Sequence, residues 1–183
     1  LDLEPPFVCL VVSGGHTHLV RVCDYGKYEI LGKTRDDAAG EAFDKVARVV
    51  GLPYPGGVSI DRLSKEGKYT YKLPRPLNDH SYDYSYSGIK TAVINLVNNL
   101  KQKGQEVNVP DLAHSFQKTA VDLLLDKALP AIDEFNCVQV VLAGGVSANS
   151  YLREQIVERL KDKEVEVKDG SGVDVKDNYT ITY

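Results

Sequence analysis

Two glycine pairs, each at the end of an apolar run, bracket this chain: Val11-Val12-Ser13-Gly14-Gly15-His16 near the start and Val141-Leu142-Ala143-Gly144-Gly145-Val146-Ser147-Ala148-Asn149 near the end. A glycine pair lets the backbone turn sharply and come close to a ligand, because no Cβ blocks positive φ or fills the space. Two strands that each end in such a turn predict a shared cleft where bare amides meet phosphate or ribose. The second pair also opens a predicted helix over 147–161, with Ser147 as N-cap and Leu152, Ile156 and Leu160 on one face. Helix N-termini favour anions.

The rest of the chain reads as α/β. Three strands are predicted at Phe7 to Ser13, Thr17 to Cys23 and Lys27 to Gly32, joined by short connections that suit antiparallel hairpins. Helices follow at 37–50, where Ala38, Ala42, Val46 and Val49 recur at helical spacing before Gly51, and at 59–65. An irregular passage from Tyr69 to Tyr86 contains Leu73-Pro74-Arg75-Pro76, which cannot continue a helix. Helices resume at 87–101 and 111–135, the latter with a kink or break expected at Pro130. A strand at 137–143, the helix at 147–161 and a short strand at 165–167 close the pattern.

A chain of 183 residues suits one domain with a real core, and no apolar run approaches the ~20 residues of a membrane helix, so no membrane partner is expected. The opening Leu1-Asp2-Leu3-Glu4-Pro5-Pro6 lacks a signal-peptide pattern. Cys9, Cys23 and Cys137 fall in apolar runs without metal-ligand spacing and read as reduced core thiols, which favours the cytoplasm. The net charge of −4 gives no general attraction for nucleic acid, so RNA binding must be local. Arg62, Lys65, Lys68, Lys72 and Arg75, interleaved with Tyr69 and Tyr71, are either a local contact surface or a solvated face.

Several clusters have a bland and a functional reading. Ser13-Gly14-Gly15 is a plain turn or a phosphate loop. His16-Thr17-His18 places two histidines on one strand face without a third ligand, which matches no closed zinc site. Asp36, Asp37, Glu41 and Asp44 sit where acids offset a helix dipole, yet Asp37, Glu41 and Asp44 share a face and could present carboxylates to one cleft, while Lys45 is expected to pair with a neighbouring acid. Ser87 is expected to cap the following helix rather than serve with Ser85 and Lys90 in nucleophilic chemistry, since no histidine stands as base.

Three further segments carry a resemblance: Asp36-Asp37-Ala38-Ala39-Gly40-Glu41-Ala42-Phe43-Asp44-Lys45, Tyr54-Pro55-Gly56-Gly57 and Asp83-Tyr84-Ser85-Tyr86-Ser87-Gly88-Ile89-Lys90-Thr91. With the two glycine pairs, and in this order, they resemble the tRNA adenosine threonylcarbamoyltransferase family, formerly named O-sialoglycoprotein endopeptidases, from about Pro5 to about Val167. The resemblance implies a ribonuclease-H-like half of the actin, heat-shock-chaperone and sugar-kinase superfamily, a mixed sheet flanked by helices. On it the chain is a single domain over 1–183, the C-terminal half of the family fold, with a helical insertion at about 58–110 and the N-terminal half absent.

The implied activity is transfer of a threonylcarbamoyl group from threonylcarbamoyl-AMP to the exocyclic amine of the adenosine beside the anticodon of tRNA. The resemblance assigns Val11, Val12, Ser13, Gly14 and Gly15 to the phosphate side of the adenylate, and Asp44, Gly57, Asp61 and Asn149 to the same substrate pocket. Local capping is the alternative for Asn149. The family's divalent metal, iron or zinc, is implied on a His-x-x-x-His pair of the other half and on an acid matched here by Asp177. The implied partners are tRNA with either a paralogous inactive subunit and a P-loop ATPase, or a kinase-containing complex. Two other classes stay open: a nucleotide-binding or scaffold module without turnover, and an ATP-hydrolysing phosphotransferase using Asp36 or Asp37. The old endopeptidase label is poorly supported, because no zincin motif is present.

Overall fold

The computed structural model describes residues 3–75 and 79–177, the last without its side chain. Its sheet is built around the parallel pairing of the two strands that end in glycine pairs. β1 (Phe7–Val12), β2 (Thr17–Asp24) and β3 (Lys27–Lys33) form the expected antiparallel meander. β4 (Gln139–Ala143) runs parallel to β1 on its other side, and β5 (Glu166–Asp169) runs parallel to β4, giving the order β3-β2-β1-β4-β5. Every residue of β4 but the last is buried, as befits a strand covered on both faces, whereas β3 is largely exposed.

Five helices complete the α/β architecture: α1 (Ala39–Val49), α2 (Gly56–Ser64), α3 (Ser87–Gln102), α4 (Val109–Glu134) and α5 (Ser150–Leu160). α2 begins at Gly56 rather than Ser59, because its first amide is capped from α1 by a carboxylate that local sequence could not reveal. α4 runs unbroken through Pro130, against the expected break. Pro130 is exposed in the last turns of the helix, and Asp126, whose carbonyl loses its donor, is itself an exposed residue.

α4 is buried on nearly every side, polar Ser115, Gln117, Thr119, Asp122 and Lys127 included, and is in contact with α2, α3, α5 and β1. Phe116 on α4 meets Phe43 on α1 edge-on, with ring centroids 4.9 Å apart. Tyr84 and Tyr86, both fully buried, donate their hydroxyls to the Leu124 and Ala120 carbonyls of α4 at 3.2 and 3.0 Å. Burial raises both phenols above their ordinary range and keeps them as donors. The irregular passage is thereby tied to the core just before α3 begins.

All three cysteines are free. Cys137 is buried and Cys9 half-buried, the latter thiol pushed up to about 11 by burial. Cys23 corrects the expectation of a core thiol: it is exposed, because it lies at the end of β2 beside the hairpin, where the sheet is uncovered. Among the described residues no helix is long and apolar enough to cross a membrane.

A close backbone approach between the two glycine-ended strands lies where β4 ends. Gly144 has φ 90° and ψ 167°, a conformation that only glycine adopts without strain. A Cβ there would stand 2.2 Å from the Val12 carbonyl oxygen of β1. Gly144→Ala is expected to cost roughly 2–5 kcal/mol, from backbone strain and overpacking together. Urea unfolding of variant and parent checks this; a loss below about 1 kcal/mol would mean that the strand ends can part cheaply.

Candidate functional site

Parallel pairing puts Val11 opposite Ala143, so both glycine turns leave the sheet at the same end. Between them opens a cleft of about 260 Å³. Gly14 contributes from the first turn, Gly40, Phe43 and Asp44 from α1, and Tyr54, Pro55, Gly57 and Val58 from the entry to α2. Gly145, Val146, Ala148 and Asn149 contribute from the 3-10 turn Gly145–Ala148 and its exit. The cleft stands at the carboxyl ends of two adjacent parallel strands, where open α/β sheets bind ligands.

The first glycine turn is held from within and below. Ser13 Oγ accepts from the His16 amide at 3.0 Å and the Gly15 amide at 3.3 Å, and the Ser13 amide donates to the His16 carbonyl at 2.8 Å. Gly40 donates its amide to the Ser13 carbonyl at 3.1 Å, and a Cβ on Gly40 would lie 2.6 Å from that oxygen. The first turn of α1 can therefore sit under the loop only because position 40 is glycine. The Gly14 amide has no partner among the described residues. Of the residues expected in this loop, Gly14 lines the cleft, Gly15 is exposed beside it, Val12 is buried in the sheet, and Val11 and Ser13 are half-buried.

Asp44 reaches the cleft from α1. Its Oδ1 accepts from the Gly56 amide at 2.9 Å, while Oδ2 has no partner among the described residues. Gly57 and Val58, in the unpaired first turn of α2, stand beside it. Tyr54, 84% exposed, and Phe43 also line the cleft and were not singled out from the sequence. The segment Tyr54-Pro55-Gly56-Gly57 was the available signal for Tyr54, but an exposed aromatic has no local periodicity to mark it.

Two residues expected in one pocket part company. Asn149 lines the cleft, but its side chain is also the N-cap of α5: Oδ1 accepts from the Leu152 amide at 2.9 Å and Nδ2 donates to Gln117 Oε1 at 2.8 Å. Asp61 does not line the cleft. It is fully buried behind the wall, accepting from the Ser150 amide at 2.9 Å, from Ser150 Oγ at 2.7 Å and from Gln117 Nε2 at 3.3 Å. Ser147, expected as the helix cap, instead donates its hydroxyl to the Gly144 carbonyl at 2.5 Å, because the chain makes a 3-10 turn before α5 begins.

The acids at 36 and 37 hold α3. The Tyr86 and Ser87 amides donate to Asp36 Oδ1 at 2.8 and 3.1 Å, and the Ser85 and Ser87 hydroxyls donate to Oδ2. Asp36 is thus the cap that Ser87 was expected to be, and Ser87 is one of its donors. Asp37 is ion-paired with Lys90, and Lys45 pairs with Glu41 at 2.6 Å and Asp37 at 3.7 Å, as a neighbouring-acid pairing required. Neither Asp36 nor Asp37 lines the cleft, and both carboxylates are engaged with α3 and its entry.

Metal chemistry finds no donor set here: among the described residues no three His, Cys, Asp or Glu side chains gather. His16 and His18 meet edge-on at 5.4 Å, and burial, His16 and Lys33 together lower the His18 pKa. The side chain of Asp177, expected as a metal ligand, lies outside the described residues. In the basic segment, Arg62, Lys65, Lys68 and Lys72 are exposed, while Arg75 is neutralised by Asp122 at 2.8 Å and Asp126 at 3.1 Å.

Burial pushes the Asp36 carboxyl up, but its hydrogen bonds outweigh that and leave it below the ordinary carboxylate value. A depressed folded pKa stabilises fully above pH ~4, and the contribution is lost as pH falls through the folded value. Asp36→Asn should lower stability at pH 7 by about 1 kcal/mol and flatten the acid limb of the stability curve. Chemical unfolding at several pH values reads both; an unaltered acid limb would exclude Asp36 as the cap.

Comparison with known proteins places these residues in context. A family model described as tRNA N6-adenosine threonylcarbamoyltransferase, TsaD, matches residues 1–168. A protein of that name from Clostridium botulinum (strain 657 / Type Ba4) is 55% identical over 168 residues, covering 91% of this chain and 49% of the relative. Its namesake in Clostridioides difficile (strain 630) is 53% identical over 169 residues, covering 91% and 50%. The chain therefore spans about half the length of the curated relatives it matches. Among solved structures, full-length HypF in a phosphate- and nucleotide-bound form superposes with a TM-score of 0.67 at 16% identity, over 95% of this chain and 38% of HypF, a likeness of fold.

Proposed function

This chain belongs to the tRNA N6-adenosine threonylcarbamoyltransferase family, and on that premise we propose that its cleft holds the adenylate of threonylcarbamoyl-AMP for transfer to an adenosine of tRNA. The observation that carries this reading is the convergence at one sheet end of both glycine turns, the Asp44 carboxylate and the first turn of α2. Backbone amides around Gly14 and Gly57 suit phosphate oxygens, and Asp44 Oδ2 suits a ribose hydroxyl. Tyr54 at the mouth offers a face on which a base can stack.

In the transfer, the exocyclic amine of adenosine attacks the carbamoyl carbon, the bond from that carbon to the phosphate oxygen breaks, and AMP leaves as the amine gives up a proton. The nucleophile comes from the tRNA, so no side chain of the protein has to attack. What this chain supplies is positioning: it fixes the leaving AMP so that the carbamoyl carbon faces outward. The family's divalent metal, iron or zinc, falls on this reading to Asp177 and to histidines beyond this chain, and no step here depends on it. The partners proposed are tRNA and, since these relatives are clostridial, the bacterial set of a paralogous inactive subunit and a P-loop ATPase. A tRNA-modifying role suits the cytoplasm.

Calorimetric titration of the chain with AMP and with ATP tests the reading. Saturable binding is expected, weakened about tenfold or more in Asp44→Ala, the scale of a lost hydrogen bond to a charged group. A folded chain that binds neither nucleotide would overturn it. In the full-length protein the same substitution should lower the yield of threonylcarbamoyladenosine in tRNA, read by chromatography of the digested RNA.

A further inference from the structure

The wall behind the cleft is a buried polar chain with a single sense of direction. Asn149, Gln117, Ser64 and Asp61 are each 5% exposed or less. Gln117, on α4, donates from Nε2 to Ser64 Oγ at 2.9 Å and to Asp61 Oδ1 at 3.3 Å. Its Oε1 accepts from Asn149 Nδ2 at 2.8 Å. Ser64 Oγ in turn donates to the Asp61 carbonyl at 2.8 Å, which leaves it as acceptor toward Gln117.

An asparagine amide is nearly symmetric in shape, so which end carries the oxygen is set by its partners. Here both partners agree. The Leu152 amide can only donate, and it fixes Oδ1. Gln117, oriented from behind by the carboxylate of Asp61 and by Ser64, presents an acceptor and fixes Nδ2. Each group has further capacity, so Asn149, which lines the cleft, keeps one N–H and one lone pair beyond these two bonds.

We infer that Gln117 is a positioning residue for the adenylate site: it touches no ligand and acts through Asn149, holding that amide in one orientation at the cleft wall. The inference rests on the adenylate reading above and extends it from α5 to α4. Sequence reasoning had no route to Gln117, whose position within a long buried helix gives it no motif of its own. It also gives Asp61, which does not line the cleft, a part in orienting Gln117.

A double-mutant cycle tests it. AMP binding is titrated in the parent, Gln117→Met, Asn149→Ala and the double variant, with urea unfolding of each recorded separately. Gln117→Met keeps the length of the side chain but loses both amide ends; it is expected to weaken AMP about tenfold, and to have no further effect once Asn149 is alanine. A Gln117 effect that persists in full in the Asn149→Ala background would overturn the inference, because the residue would then act through general packing. So would an Asn149→Ala variant that binds AMP as the parent does. Absence of binding by the folded parent would instead sink the adenylate reading itself. Ser64→Ala removes the partner that orients Gln117 from behind and replaces Gln117→Met if that variant does not fold; a smaller loss, again absent in the Asn149→Ala background, is expected.

Discussion

The site depends on one contact between strands far apart in sequence. β1 and β4 lie parallel and end level, and Gly144 passes so close to the Val12 carbonyl that no side chain could occupy its position. That passage brings the second glycine turn alongside the first and leaves a gap between them. Everything that lines the gap from the helical side is then placed by how each helix begins.

Those beginnings share a device. The Ala39 amide at the head of α1 donates to Thr17 Oγ1 of β2, the Gly56 amide of α2 to Asp44 of α1, and the Tyr86 and Ser87 amides of α3 to Asp36. The Ser150 amide of α5 donates to Asp61 of α2, next to the cap that Asn149 supplies locally. In isolation each helix head would leave donors unsatisfied. Satisfying them from neighbouring elements binds the helices to one another at the end of the sheet where the cleft opens.

This explains which expectations failed. The meander, the paired glycine turns, the long helix and the βαβ ending were legible because each rests on local pattern: alternation, helical spacing, and glycine at strand ends. Ser147 and Ser87 had the composition of caps, but Asn149 and Asp36 took those roles once a 3-10 turn and a distant carboxylate entered. Asp61 was placed in the pocket by resemblance alone, yet it is buried against Gln117 of α4 and Ser150 of α5. Gln117 left no local trace, and Tyr54 only its place in the segment Tyr54-Pro55-Gly56-Gly57.

By itself the sequence determined the α/β class, the order of strands and helices, and the two turns able to approach a ligand, because backbone propensity and apolar periodicity act over neighbouring residues. The tertiary structure alone decided which polar groups reach the cleft and which are spent behind it. A carboxylate or amide chooses its partner among groups brought within about 3 Å by the packed chain, and that choice is made only after α4 has closed over the sheet.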